Sequence, residues 1–141
     1  MDINKFFGLF NGDKEEERLR ENLDTFKDTP VFKIGMFKKL IMNGLSFKKS
    51  VVNFFNSSND PIDVKEIDLM GEFMMYHRGW FWIEQIDIND EYHLKDLENT
   101  SDDDLLVALK LSIHYFESEE EFEKCAHLKK IQNLVEKNLE I

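Results

Sequence analysis

The chain has 141 residues, 42% of them hydrophobic and 13% aromatic, and a formal net charge of -11. That length suits one domain with a real core, and thirteen phenylalanines argue against a disordered acidic chain. The negative charge disfavours general binding to a phosphate backbone, and the single cysteine, Cys125, excludes an internal disulfide.

Residues 1–12 form an apolar N-terminal arm carrying Ile3, Phe6, Phe7, Leu9 and Phe10. It lacks the basic start and long apolar run of a signal peptide. Its one lysine is too few for a helix lying on a membrane surface. Asp13 to Lys27 reads as a charged helix, capped by Asp13, with a narrow apolar stripe of Leu19, Leu23 and Phe26. Pro30 marks a break or the first turn of a new helix. Val31, Ile34, Phe37 and Ile41 then recur at helical spacing, and Asn43-Gly44 predicts a stop. Ser46 is placed to cap a further short helix through Phe47, Val51, Phe54 and Phe55, and the run NSSNDP, residues 56–61, predicts a loop. No acid occurs between Asp28 and Asp60, while Lys33, Lys38, Lys39, Lys48 and Lys49 do. Such a segment packs against acidic parts of its own fold or, as the minority alternative, offers a local anion or nucleic-acid patch.

The stretch GEFMMYHRGWFWIEQI supports two readings. Trp, Phe, Tyr and Ile favour a β-hairpin turning at Arg78-Gly79, over about 72–86. A long, largely buried helix fits further, because Ile62, Leu69, Phe73, Tyr76, Trp80 and Ile83 fall on one stripe. Asp87 to Glu98 is polar and reads as a loop with a short helical turn. Ser101 is placed to cap a strong helix whose stripe is Leu106, Leu109, Ile113 and Phe116.

Ser118-Glu119-Glu120-Glu121 has the spacing of a capping box, which starts a last helix only a few residues after the previous one ends. So short a connection makes the two helices antiparallel neighbours. Phe122, Cys125, Leu128, Ile131, Val135 and Leu139 supply the facing stripe, with Ala126 small enough for close backbone approach. Glu121, Phe122, Glu123, Cys125, Ala126, Leu128 and Ile131 are the residues by which Asp102 to Asn138 resembles the UVR motif, the helical hairpin of the excinuclease B and C subunits. Lys129-Lys130 departs from it, standing where the family has Arg-Asp. The resemblance implies a protein-interaction hairpin. It does not imply nuclease or ATPase activity, and the sequence has no Gly-rich phosphate loop.

Chemistry-bearing patterns are few. Asp87, Asn89, Glu91 and Glu98 echo a calcium loop, but Tyr92 stands where the turn needs Gly. His77, His93, His114 and His127 form no metal-binding pair by spacing, although His114 and His127 could approach across the hairpin. Cys125 and His127 are two apart on one helix and cannot meet, so a thiol in the hairpin seam is expected. Met70, Met74, Met75 and the nearby aromatics read as core. Trp80 and Trp82 lie roughly 200° apart on a helix, so one of them is a candidate exposed aromatic contact.

The expected architecture is a mainly α single domain, a small helical bundle with residues 13–98 as core and 101–141 as the hairpin. The expected function is a non-enzymatic adaptor, cytoplasmic, binding a protein partner or itself without cofactor, metal or membrane. Its candidate contact residues are the outward ones near the turn: Tyr115, Glu119, Glu120, Lys124 and Lys129. Two Ala and eleven Asn suggest an AT-rich genome. They motivate the alternative of a phage or mobile-element accessory protein, either a virion component or an acidic inhibitor of a host nucleic-acid-binding protein. An enzyme with a site around His77, Trp80, Trp82 and Glu84 is a third reading.

Overall fold

Six helices and no strand occur among the described residues, 14–57 and 64–140 of the computed structural model. Helix α1 spans Lys14–Lys27, α2 Pro30–Ser57, α3 Val64–Ile83, α4 Glu91–Thr100, α5 Asp103–Ser118 and α6 Phe122–Leu139. The arm 1–12, the Asp13 cap, Ile62 and the side chain of Phe55 lie outside the described residues. The stretch 72–86 is helical, not a hairpin of strands.

Local chemistry accounts for most of the boundaries. Three glutamates open α1 and Lys27 ends it, matching the helix dipole. Pro30 takes the first position of α2, where its missing N–H costs nothing. The Phe32 N–H donates to Thr29 Oγ1 at 3.4 Å, and the Val31 N–H donates to Asp96 Oδ2 of α4 at 3.0 Å. A carboxylate from a distant helix thus caps α2.

The predicted stop at Asn43-Gly44, and the separate helix capped by Ser46, are wrong, since α2 is one unbroken helix of 28 residues that continues to Ser57. Gly44 has a packing role. A Cβ there would overlap Sδ and Cγ of Met75 on α3, and one at Gly79 would come within 2.9 Å of Ile41 Cδ1. The two glycines let α2 and α3 pass at close range. The pair is antiparallel, because Lys48 meets Asp68, Gly44 meets Met75 and Phe32 meets Trp82.

Residues 87–98 are also more ordered than their polarity predicts. Asp87 Oδ1 accepts from the Asn89 N–H, Asp90 caps α4 through the Tyr92 N–H, and His93 Nδ1 accepts from the Asp87 N–H at 2.9 Å. Among these polar residues, Asp87 closes a turn and Asp90 caps a ten-residue helix. The next cap is one residue later than expected. Ser101 Oγ donates back to Leu97 O, while Asp102 caps α5 by accepting from the Leu105 N–H at 2.7 Å.

Asp102 also receives Lys38 Nζ of α2 at 2.7 Å. Partial burial alone would raise the Asp102 carboxyl, but the Lys38 and Leu105 donors and the Lys38 charge outweigh it and hold the group below its ordinary value of 3.8. The stabilisation is therefore fully present above about 3.8 and lost as pH falls through the lowered folded-state value. Asp102→Ala removes both the cap and the ion pair and is expected to cost about 1.5–2 kcal/mol. Asp102→Asn keeps the cap and should cost under about 1 kcal/mol. Urea denaturation at pH 7 checks both values, and the gap between wild type and Asp102→Asn should close in acid.

The turn between α5 and α6 is not a capping box. Ser118 Oγ donates to Tyr115 O, and Glu121, at the start of α6, makes no side-chain cap bond. Instead the Glu121 N–H donates to Phe116 O at 2.9 Å and the Glu120 N–H to Glu117 O at 3.0 Å. Glu120 has φ 59°. This is the Schellman arrangement, with a glutamate where glycine is preferred. Glu120→Gly should raise stability by about 0.5–1 kcal/mol, read as a rise in Tm of about 2–4 °C.

The core gathers Ile34, Phe37 and Ile41 of α2, Tyr76 and Ile83 of α3, Leu97 of α4, Leu105, Leu109 and Phe116 of α5, and Leu128, Ile131 and Val135 of α6. Two helical hairpins, α2/α3 and α5/α6, face one another across it. The second is antiparallel, because Cys125 Sγ reaches Ile113 O near the turn while Asn138 reaches Ser101 at the far end. Helix α5 lies between α6 and the first hairpin, so it buries Leu105, Ala108, Ser112 and Tyr115 besides the predicted Leu109 and Phe116. Ala126 is exposed and plays no part in the seam, and Phe122 is 65% exposed rather than facing α5. The expectation of a largely buried α3 holds for its C-terminal half only, since Leu69, Met70, Phe73 and Met74 are all more than half exposed.

Candidate functional site

Large rings set the spacing between the two hairpins. Tyr76 of α3 stacks on Tyr115 of α5 with centroids 4.4 Å apart and planes 14° apart. Trp80 and His77 meet Phe116 edge-on at 5.9 and 5.4 Å. His127 Nε2 lies 2.9 Å from Ile83 O, so this nitrogen donates and satisfies a carbonyl at the end of α3. Burial first, then Glu72 and Tyr115, push the Tyr76 hydroxyl up to about 12. Burial, then Lys124, lower the His77 imidazole. Both shifts belong to a packed junction, with each ring ordered by its neighbours.

The proposed contact residues divide accordingly. Tyr115 is a correction: at 7% exposure it belongs to the core, because α5 is covered on two sides. Lys124 is half-buried over the rings of Phe116 and Trp80, 5.1 and 5.7 Å from their centroids, and 3.5 Å from Glu121. Its aliphatic stem packs and its ammonium is held. Glu119, Glu120 and Lys129 are exposed. Neither tryptophan stands free. Trp80 packs on Phe116 and His127, and Trp82 on Phe32 and Phe81, on different sides of α3 as their angular separation requires.

His77, Trp80, Trp82 and Glu84 do not converge. Trp80 and Glu84 share a shallow polar depression with Glu121, Glu123, Lys124 and His127, and the other two do not reach it. His114 is exposed and His127 points at α3, so they form no pair across the hairpin. Cys125 is half-buried in the α5/α6 seam as expected, and burial, with Glu117 adding to it, raises its thiol. Among the described residues no cluster of His, Cys, Asp or Glu has metal-binding geometry, and no helix is long and apolar enough to cross a membrane.

The basic segment is partly consumed by the fold. Lys38 pairs with Asp102, and Lys48 with Asp68 at 3.3 Å and Glu72 at 4.0 Å. Lys39 and Lys49 are exposed.

The feature that sequence reasoning missed lies on a face of α2/α3 beside the core. Met36, Leu40, Phe47 and Val51 of α2 face Ile67, Gly71 and Met74 of α3 across an open groove of 560 Å³. Phe47 is 72% exposed and Met74 54%. Gly44 and Met75 lie along the groove, and Lys39, Lys48, Asp68 and Arg78 add its polar groups. Phe32 and Trp82 each lie one turn beyond the lining residues Met36 and Arg78, and their rings meet at 5.5 Å. Groove and core use neighbouring faces of the same two helices. An all-round apolar pattern on α2 and α3 was the available signal, because a helix with one covered face needs only one stripe. Comparison with family models, with curated proteins and with solved structures finds no match to this chain.

Proposed function

We propose that this is a non-enzymatic protein-interaction protein whose partner site is the α2/α3 groove, and that the groove takes an amphipathic helix with acidic flanks. The observation that carries this reading is the exposed apolar lining itself. Phe47 and Met74 of that lining remain more than half exposed in a protein that has a filled core. Contiguous apolar surface of this kind is characteristic of helix-in-groove recognition. The charge of the partner follows from α2, which offers lysines and no acid along its length, with Lys39 and Arg78 exposed at the groove. In this reading the UVR-like hairpin mainly braces α2/α3 through the aromatic junction. Its exposed turn, Glu119 and Glu120 with Phe122, is a secondary contact at most.

A labelled model peptide with Leu and Phe at helical spacing and glutamate flanks tests the assignment by fluorescence anisotropy. Phe47→Glu/Met74→Glu, at two exposed positions, should weaken binding at least about ten-fold, a shift of about 1.4 kcal/mol, while leaving the circular dichroism unchanged. Replacing the flanks with lysine should weaken it similarly. Equal binding by wild type and variant would place the contact elsewhere.

A further inference from the structure

Helix α1 is the one described helix with no buried residue. Its stripe is largely uncovered among the described residues: Leu19 is 63% exposed, Leu23 57% and Phe26 51%. Around that stripe stand Glu15, Glu16, Glu17, Glu21 and Asp24. The same chain therefore holds an acid-flanked amphipathic helix and an apolar groove with cations at its edge, each without a covering element among the described residues.

Phe26 connects them. Its ring meets Phe32 at 5.3 Å, and Phe32 packs on Trp82 one turn beyond the groove residues Met36 and Arg78. Only Asp28 and Thr29 separate α1 from α2. Lengths also match: fourteen residues of helix span about 21 Å, and the groove from Met36 to Val52 runs about 24 Å. Laid back along α2, α1 brings Leu23 beside Met36 and Leu19 beside Leu40. Its carboxylates then face Lys39 and Arg78, neither of which has an ion pair among the described residues. The residues before α1 bring Ile3, Phe6, Phe7, Leu9 and Phe10, and thirteen residues reach at most about 45 Å, enough to pass the open end at Phe47 and Val51.

We infer that segment 1–27 of this chain is an internal occupant of its own α2/α3 groove, pivoting at Asp28-Thr29, so that a partner helix must displace it. This rests on the reading of the groove as a helix-binding site, and it adds the competitor. The arrangement described above is then the open one.

Two measurements on the full chain test it. In a Cys125→Ala background, Leu19→Cys/Leu40→Cys is oxidised mildly and analysed on a non-reducing gel. The expected product is a monomer with an internal disulfide. A covalent dimer would assign the occupant to a second copy and overturn the inference, as would an absence of cross-linking. Leu19→Asp/Leu23→Asp is then compared with wild type for binding the acidic-flanked model peptide. Both leucines are exposed in the open arrangement, so the fold is retained, and freeing the groove should tighten binding at least about ten-fold. Equal, measurable binding overturns the internal competitor while the groove assignment stands. Failure of both proteins to bind rejects the groove reading itself.

Discussion

Phe116→Ala is expected to destabilise the protein by about 3–5 kcal/mol, whereas Phe122→Ala six residues later should change stability by less than about 0.5 kcal/mol. Phe116 is fully buried, and its ring touches Tyr76, Trp80, His77 and Tyr115 from both hairpins, with Lys124 over its face. Removing it deletes the contact shared by Tyr76, His77, Trp80 and Tyr115. A loss of that size is a large fraction of the 5–15 kcal/mol that domains typically have. Guanidinium denaturation followed by near-ultraviolet circular dichroism reads both variants. A lower denaturant slope in Phe116→Ala, besides a lower midpoint, would mark the two hairpins unfolding separately.

The second large effect comes from two glycines that look alike in the sequence. Alanine at either Gly44 or Gly71 gains about 1 kcal/mol of helix propensity. At Gly71 nothing lies within 4 Å of the new methyl group, so Gly71→Ala should stabilise by about that amount. At Gly44 the methyl group would overlap the Met75 side chain, itself buried, and Met75 must leave its place or push α2 and α3 apart. Gly44→Ala should therefore destabilise by about 1–2 kcal/mol net. The two variants would differ by roughly 2–3 kcal/mol. Thermal melts of both, with Met75→Ala and the Gly44→Ala/Met75→Ala double variant, check the cause: truncating Met75 makes room, so the Gly44→Ala penalty should vanish in its presence.

The helices themselves were readable because helix formation is local. Periodicity located α1, most of α2, α5 and α6, and the few residues expected between the last two stripes implied the α5/α6 hairpin. The errors concern residues whose two uses have the same sequence signature. Asn43-Gly44 is a helix stop unless another helix presses on the glycine, as Met75 does. Ser118 is a cap unless a glutamate accepts a positive φ and a Schellman turn ends α5 first. Asp87 looks like a metal ligand until the Asn89 N–H claims its oxygen. Tyr115 was expected on the surface because its stripe was judged against α6 alone, whereas α5 has neighbours on two sides.

By itself, then, the sequence determined an acidic, helical chain, the antiparallel C-terminal hairpin, and an excess of apolar residues over what one core needs. Only the tertiary structure decided where that excess goes. Hydrophobicity has no direction: Phe116 and Phe122, or Met75 and Met74, are equally willing to be buried, and the choice falls to whichever helix packs alongside. Here α5 covers one side of α2/α3 and nothing described covers the other, which turns ordinary core residues such as Leu40, Phe47 and Met74 into the lining of a groove.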